Sequence, residues 1–140
     1  MSKNCAVIVV LLSLVIAAGL YKFIFQGSVT EGDDGRIAIH LDAVERDLVL
    51  KEMRVFLTSV QQVTRGIVED DMERVAEYSR KSGKAAQAEV PATLVAKLPM
   101  QFKQLGSDTH TGFDQLAQDA EDLGDGGHAL SQLSTLMQNC

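Results

Sequence analysis

The sequence predicts an all-α protein, an antiparallel four-helix bundle behind an N-terminal transmembrane or signal-anchor helix, with its fourth helix cut short. Three observations carry this. An apolar run from Ala6 to Phe25 is interrupted only by Ser13, Gly19, Tyr21 and Lys22. Downstream, apolar residues recur at steps of three and four, the spacing of a helix face. The composition, 46% hydrophobic with no Trp and only 2 Pro, suits helices better than a sheet. Residues 1–26 are therefore read as a signal anchor or signal peptide, 27–36 as a polar linker, and 37–140 as the bundle, incomplete at its C-terminus.

In the first segment, "MSKN" precedes "CAVIVVLLSLVIAAGLYKFIF". About twenty helical residues span about 30 Å, the hydrocarbon thickness of a bilayer. Full membrane length favours an uncleaved anchor; the alternative is a signal peptide cut near "AAG", Ala17 to Gly19. Lys3 favours a cytoplasmic N-terminus, so the chain beyond the linker is expected to be exported. Cys5 and Cys140 would then be separated by the membrane or by cleavage, which argues against a disulfide between them.

"QGSVTEGDDGR" is the Gly/Asp-rich linker. The first bundle helix follows, with Ile37, Leu41, Val44 and Leu48, then a stripe displaced by one residue: Val49, Met53, Phe56, Val60, Val63 and Ile67. The second is expected in "EDDMERVAEYSRKSG", with Asp70 and Glu73 as a capping box, Met72, Val75, Ala76 and Ser79 as its stripe, and Gly83 as its stop. "PATLVAKLP" is a short helical turn between two prolines, and Pro99 suits the first position of the third helix. That helix repeats Phe102, Leu105, Thr109, Phe113, Leu116, Ala120 and Leu123. "GDGG" breaks it, and a fourth helix from about His128 sets Leu130, Leu133, Met137 and Cys140 on one face.

Chemistry-bearing motifs are few. A net charge of −6 without a basic stripe excludes a nucleic-acid partner. There is no nucleophile elbow and no phosphate-binding glycine loop, so no enzyme is predicted. His40, His110 and His128 lie on different elements without metal-binding spacing and read as scattered surface histidines. The acids from Asp108 to Asp125 read as a solvated face.

"AVERDLVLKEMRVFL", taken with "HTGFDQLAQDAEDL" and "HALSQLSTLMQNC", resembles the class II c-type cytochromes, the cytochrome c′ group. "GFD" at Gly112 to Asp114 is also similar to the third helix of the related b-type bundle cytochrome. The resemblance implies an exported bundle carrying haem c through C-x-x-C-H on its fourth helix, with Cys140 as the first haem-attachment cysteine. The second Cys and the His do not occur after it, so haem c is implied only for a chain that continues beyond Cys140. The family pattern R-x-x-x-L/M-K-x-M falls on Arg46, Leu50, Lys51 and Met53. By this resemblance Met53 is a metal candidate as axial ligand, Leu50 would block the distal face instead, and Arg46 would pair with a haem propionate; ordinary packing for Met53 and a solvated charge for Arg46 are the alternatives. The implied function is haem binding and electron transfer with redox partner proteins, from the bacterial inner membrane with the domain facing the periplasm, or soluble in the periplasm if the N-terminus is cleaved. The apolar strip beside a short fourth helix is compatible with a homodimer. The competing expectation is a membrane-anchored, haemless four-helix sensory or protein-interaction module.

Overall fold

The computed structural model describes residues 3–139, and they are mostly helical. Helix α1 (Lys3–Tyr21) runs on through a π-helical turn (Lys22–Gln26). Strands β1 (Val29–Glu31) and β2 (Ile37–Ile39) follow, then α2 (Ala43–Glu69), α3 (Met72–Lys81), a 3-10 turn (Lys84–Glu89), α4 (Ala92–Lys97), α5 (Met100–Leu123), α6 (Gly126–Leu136) and a closing 3-10 turn (Met137–Asn139). The segment Val7–Gln26 is long and apolar enough to be a membrane anchor or a signal sequence, and none of it is buried against the rest of the chain.

The expected linker contains a β-hairpin. Val29 pairs with Ile39, Thr30 with Ala38 and Glu31 with Ile37, antiparallel. The turn is held by Asp34, whose carboxylate accepts from the Arg36 backbone N–H at 3.1 Å and from Arg36 Nε at 2.6 Å. Ile37 therefore belongs to a strand, and the first bundle helix begins six residues later than its periodicity suggested. The start is set by a capping box: Asp42 Oδ1 accepts from the Glu45 N–H, and Glu45 Oε2 accepts from the Asp42 N–H, each at 3.0 Å.

Helices α2, α3, α5 and α6 share one core, built on Phe56, Val63, Val75, Phe113, Leu116 and Leu133, with Val60, Ile67, Met72 and Tyr78 packed at its edge. The lower half of the α2 stripe is buried as expected, but its upper half is not: Val44, Leu48 and Met53 are exposed. On α5, Thr109, Phe113, Leu116 and Ala120 are buried, while Leu105 and Leu123 at its ends are exposed. On α6 the inward face is Ala129, Leu133 and Leu136, and Leu130 and Met137 are each 51% exposed. Period-four stripes one residue apart are both helical, and packing against α2 and α5 selects the one with the small Ala129 at its start.

The joints are short and capped. Asp70 takes the left-handed conformation (φ 57) at the end of α2, and Asp71 caps α3 by accepting from the Arg74 N–H at 2.9 Å. The expected Asp70–Glu73 capping box is not formed, and a single side-chain cap stands one residue on, at Asp71. α2 and α3 approach so closely at Gly66 that a Cβ there would lie 2.9 Å from the Asp71 carbonyl oxygen and from Val75 Cγ2. Pro99 stands just before α5 rather than at its first position. Between α5 and α6, Gly124 turns the chain and Asp125 Oδ1 accepts from the Gly127 and His128 N–H groups.

Candidate functional site

Side chains of unlike chemistry meet at an opening beside the core. Between α2 and α4 lies a cavity of about 250 Å³. Its apolar wall comes from Leu48, Val49, Val55 and Phe56 on one side and from Val90, Pro91 and Leu94 on the other. Helix α4, confined between prolines, brings Leu94 to this wall at 2% exposure. Lys51, Lys81, Ser82 and Ala86 complete the lining.

His110 and Glu52 are the polar groups that set the cavity's chemistry. His110 sits on the buried face of α5, one turn before Phe113, and is 2% exposed. Its Nδ1 lies 2.8 Å from the Ser82 carbonyl oxygen, and its Nε2 lies 3.1 Å from Glu52 Oε1. A carbonyl and a carboxylate only accept hydrogen bonds, so both ring nitrogens are called on to donate, which is the bonding of an imidazolium. Burial pushes the His110 imidazole down, but the Glu52 carboxylate with the Ser82 and Gly83 carbonyls outweighs it, and the ring stands above its ordinary range. Phe56 covers the ring, with centroids 5.0 Å apart, and stacks in turn on Phe113 at 5.8 Å.

Behind the pair, Ser82 Oγ donates to Ser59 Oγ at 2.8 Å and Ser59 Oγ donates to the Tyr78 carbonyl at 2.9 Å, tying the end of α3 to α2. Lys81 at the rim is held by Glu77 at 2.6 Å and lies over the Tyr78 ring, 3.8 Å from its centroid. The arrangement offers an apolar recess, a charged pair facing it with its imidazole buried, and cationic groups at its edge. It can bind and orient a small molecule or hold a proton.

The residues singled out by the cytochrome resemblance lie elsewhere. Arg46 is exposed and pairs with its neighbour Asp47 at 3.3 Å. Leu50 and Met53 are 44% and 41% exposed. None of the three lines the cavity, although Leu48, Lys51, Glu52 and Val55 from the same helix do. Cys140 lies outside the described residues. The space between the four helices is filled by Phe56, Phe113, Leu116 and Leu133, and the cavity of about 250 Å³ is large enough for a small molecule but not for a porphyrin. Among the described residues no three His, Cys, Asp or Glu side chains are grouped to hold a metal ion. This cavity therefore does not fit a haem.

His110 carries a signal that the surface reading missed. It stands three residues before Phe113 and next to Thr109, so it shares the buried stripe of α5, and a histidine on such a face requires partners. Compared with protein-family models, with curated proteins and with solved structures, the chain matches none.

Proposed function

We propose that this chain is a membrane-anchored, haemless helical module that binds a small amphiphilic ligand, an apolar body with one polar or anionic end. The four helices sharing a core are read as an antiparallel four-helix bundle, held by α1 at the bacterial inner membrane with the bundle on the periplasmic side. The observation that carries the reading is the apolar cavity with the His110–Glu52 pair beside it, the imidazole buried and the carboxylate half-buried. A charge held beside an apolar recess is costly unless it is paired, and the pair gives a ligand a polar contact. A ligand's apolar part would replace water along Leu48, Val55 and Leu94, and its polar end would meet Lys51, Lys81 and His110. No catalytic step is involved.

The test is a thermal-shift titration of the detergent-solubilised chain with straight-chain carboxylates and the matching alcohols. Saturable stabilisation is expected, about 2.7 kcal/mol at a hundredfold excess over Kd. It should vanish in Ala86→Trp, which fills the recess. Stabilisation that persists in Ala86→Trp would place binding elsewhere and refute the reading.

The second reading is the cytochrome c′-type electron carrier with redox partner proteins. What supports it is the spacing of Arg46, Leu50, Lys51 and Met53 along α2. A Soret band that survives acid–acetone extraction of the periplasmically matured gene product would establish covalent haem. Its absence leaves the haemless module.

A further inference from the structure

The anchor and the helical body meet at a second hollow. The π-helical turn ends in Gly27, and the Ser28 N–H donates to the Lys97 carbonyl oxygen at 2.7 Å. Gly27 adopts φ 67, and a Cβ there would lie 2.5 Å from the same oxygen, so only glycine fits this joint. Lys103 Nζ donates to the Ile24 carbonyl at 3.1 Å. The last turn of the anchor is thus laid against α4 and the start of α5. Between anchor and α4 runs a groove of about 480 Å³, with Gly19 and Phe23 on one wall and Thr93 and Ala96 on the other. Lys22 and Lys97 supply its charge.

We propose that this groove holds one phospholipid with an anionic headgroup, its acyl chain against Gly19 and Phe23 and its phosphate held by Lys22, with Lys103, outside the groove lining but bonded to the Ile24 carbonyl, adding positive charge beside it. The proposal rests on the reading that Val7–Gln26 is kept as an anchor. A groove whose one wall belongs to a bilayer-spanning segment opens into hydrocarbon, so an acyl chain is the molecule at hand to fill it. The charge selects the headgroup. Lys97 is already taken by Glu45 at 2.6 Å and Asp42 at 3.6 Å. Lys22 and Lys103 have no acidic partner among the described residues, and both stand where the span ends, at headgroup depth.

The experiment uses the full chain reconstituted in vesicles of phosphatidylcholine and phosphatidylglycerol, released in mild detergent and weighed by native mass spectrometry. Phosphatidylglycerol should be retained in preference to phosphatidylcholine. Lys22→Gln and Lys103→Gln should each lower its retention roughly fivefold, and Lys84→Gln, remote from the groove, should not. Thr93→Trp and Ala96→Trp, both filling the groove, should expel either lipid, with unchanged helicity showing that the fold persists. Equal retention of the two lipids, or indifference to both lysine substitutions, overturns the proposal while leaving the anchor reading intact. Recovery from expressing cells of a chain that begins after residue 26 overturns the anchor reading, and the lipid site with it.

Discussion

Replacing Glu52 by Gln keeps the shape of the side chain and removes its charge. In the native protein His110 donates to Glu52 at 3.1 Å with the two side chains 3% and 28% exposed. A hydrogen bond to a charged partner is worth about 1.5–3 kcal/mol and a neutral one about 0.5–1.5, so the substitution should cost about 1–1.5 kcal/mol wherever the pair is ionised. The cost should depend on pH. Burial lowers the His110 value, but Glu52 and the carbonyls raise it further, so the folded protein binds the proton more tightly than the unfolded chain with its ordinary 6.5. The stability linked to that proton is fully present below the unfolded value and is lost as pH rises through the higher folded one. Urea unfolding of wild type and Glu52→Gln, followed by circular dichroism, should therefore show the larger difference at about pH 5.5 and a smaller one at about pH 8.5. A difference equal at the two pH values would refute the charged-pair argument, even if the variant were less stable.

Two further substitutions test the packing around the site. Ser59 and Ser79 are both buried serines, yet Ser59 bridges the Tyr78 carbonyl and the Ser82 hydroxyl whereas Ser79 Oγ has no partner among the described residues. Ser59→Ala should cost about 1–3 kcal/mol by stranding two polar groups, while Ser79→Ala should be neutral or stabilising by up to about 1 kcal/mol; chemical denaturation of the pair reads the contrast, and equal effects would contradict it. Phe113, 2% exposed and stacked on Phe56 at an interplanar angle of 8°, should cost about 3–5 kcal/mol as Phe113→Ala, and a loss under about 1 kcal/mol in the same assay would mean that the α5 stripe is not the core.

What could be read in advance followed the strength of the local signal. The apolar run to Phe25, the α3 stripe of Val75, Ala76 and Ser79, and the α5 stripe through Phe113 and Leu116 each had one dominant periodicity, and each is found. Ile37 failed because a single isoleucine fits a step of two as well as a step of four, and the hairpin partner at Glu31 is visible only in three dimensions. Leu130 and Met137 failed because Ala129, Leu133 and Leu136 make an equally regular face with smaller side chains, and the choice belongs to the neighbouring helices. The candidate site was least legible. Glu52 and His110 lie 58 positions apart, since α3, the 3-10 turn and α4 all intervene, and no spacing rule joins a carboxylate on one helix to an imidazole on another. Even so, the buried register of His110 was open to inspection.

The corner at Asp70 and Asp71 has a kinetic consequence. Two residues suffice to reverse the chain there, and α2 and α3 touch immediately beyond it, at Gly66 and Val75. Closing so small a loop costs little entropy and takes far less time than bringing α6 back to α2. This helical elbow is therefore the natural seed of folding. It is complete once the chain has emerged as far as Lys81, well before α5 is available to cover it. Until α5 arrives, Phe56 lacks the His110 and Phe113 rings that cover it. The interval between the elbow's emergence and the docking of α5 is when the nascent protein is most exposed to self-association.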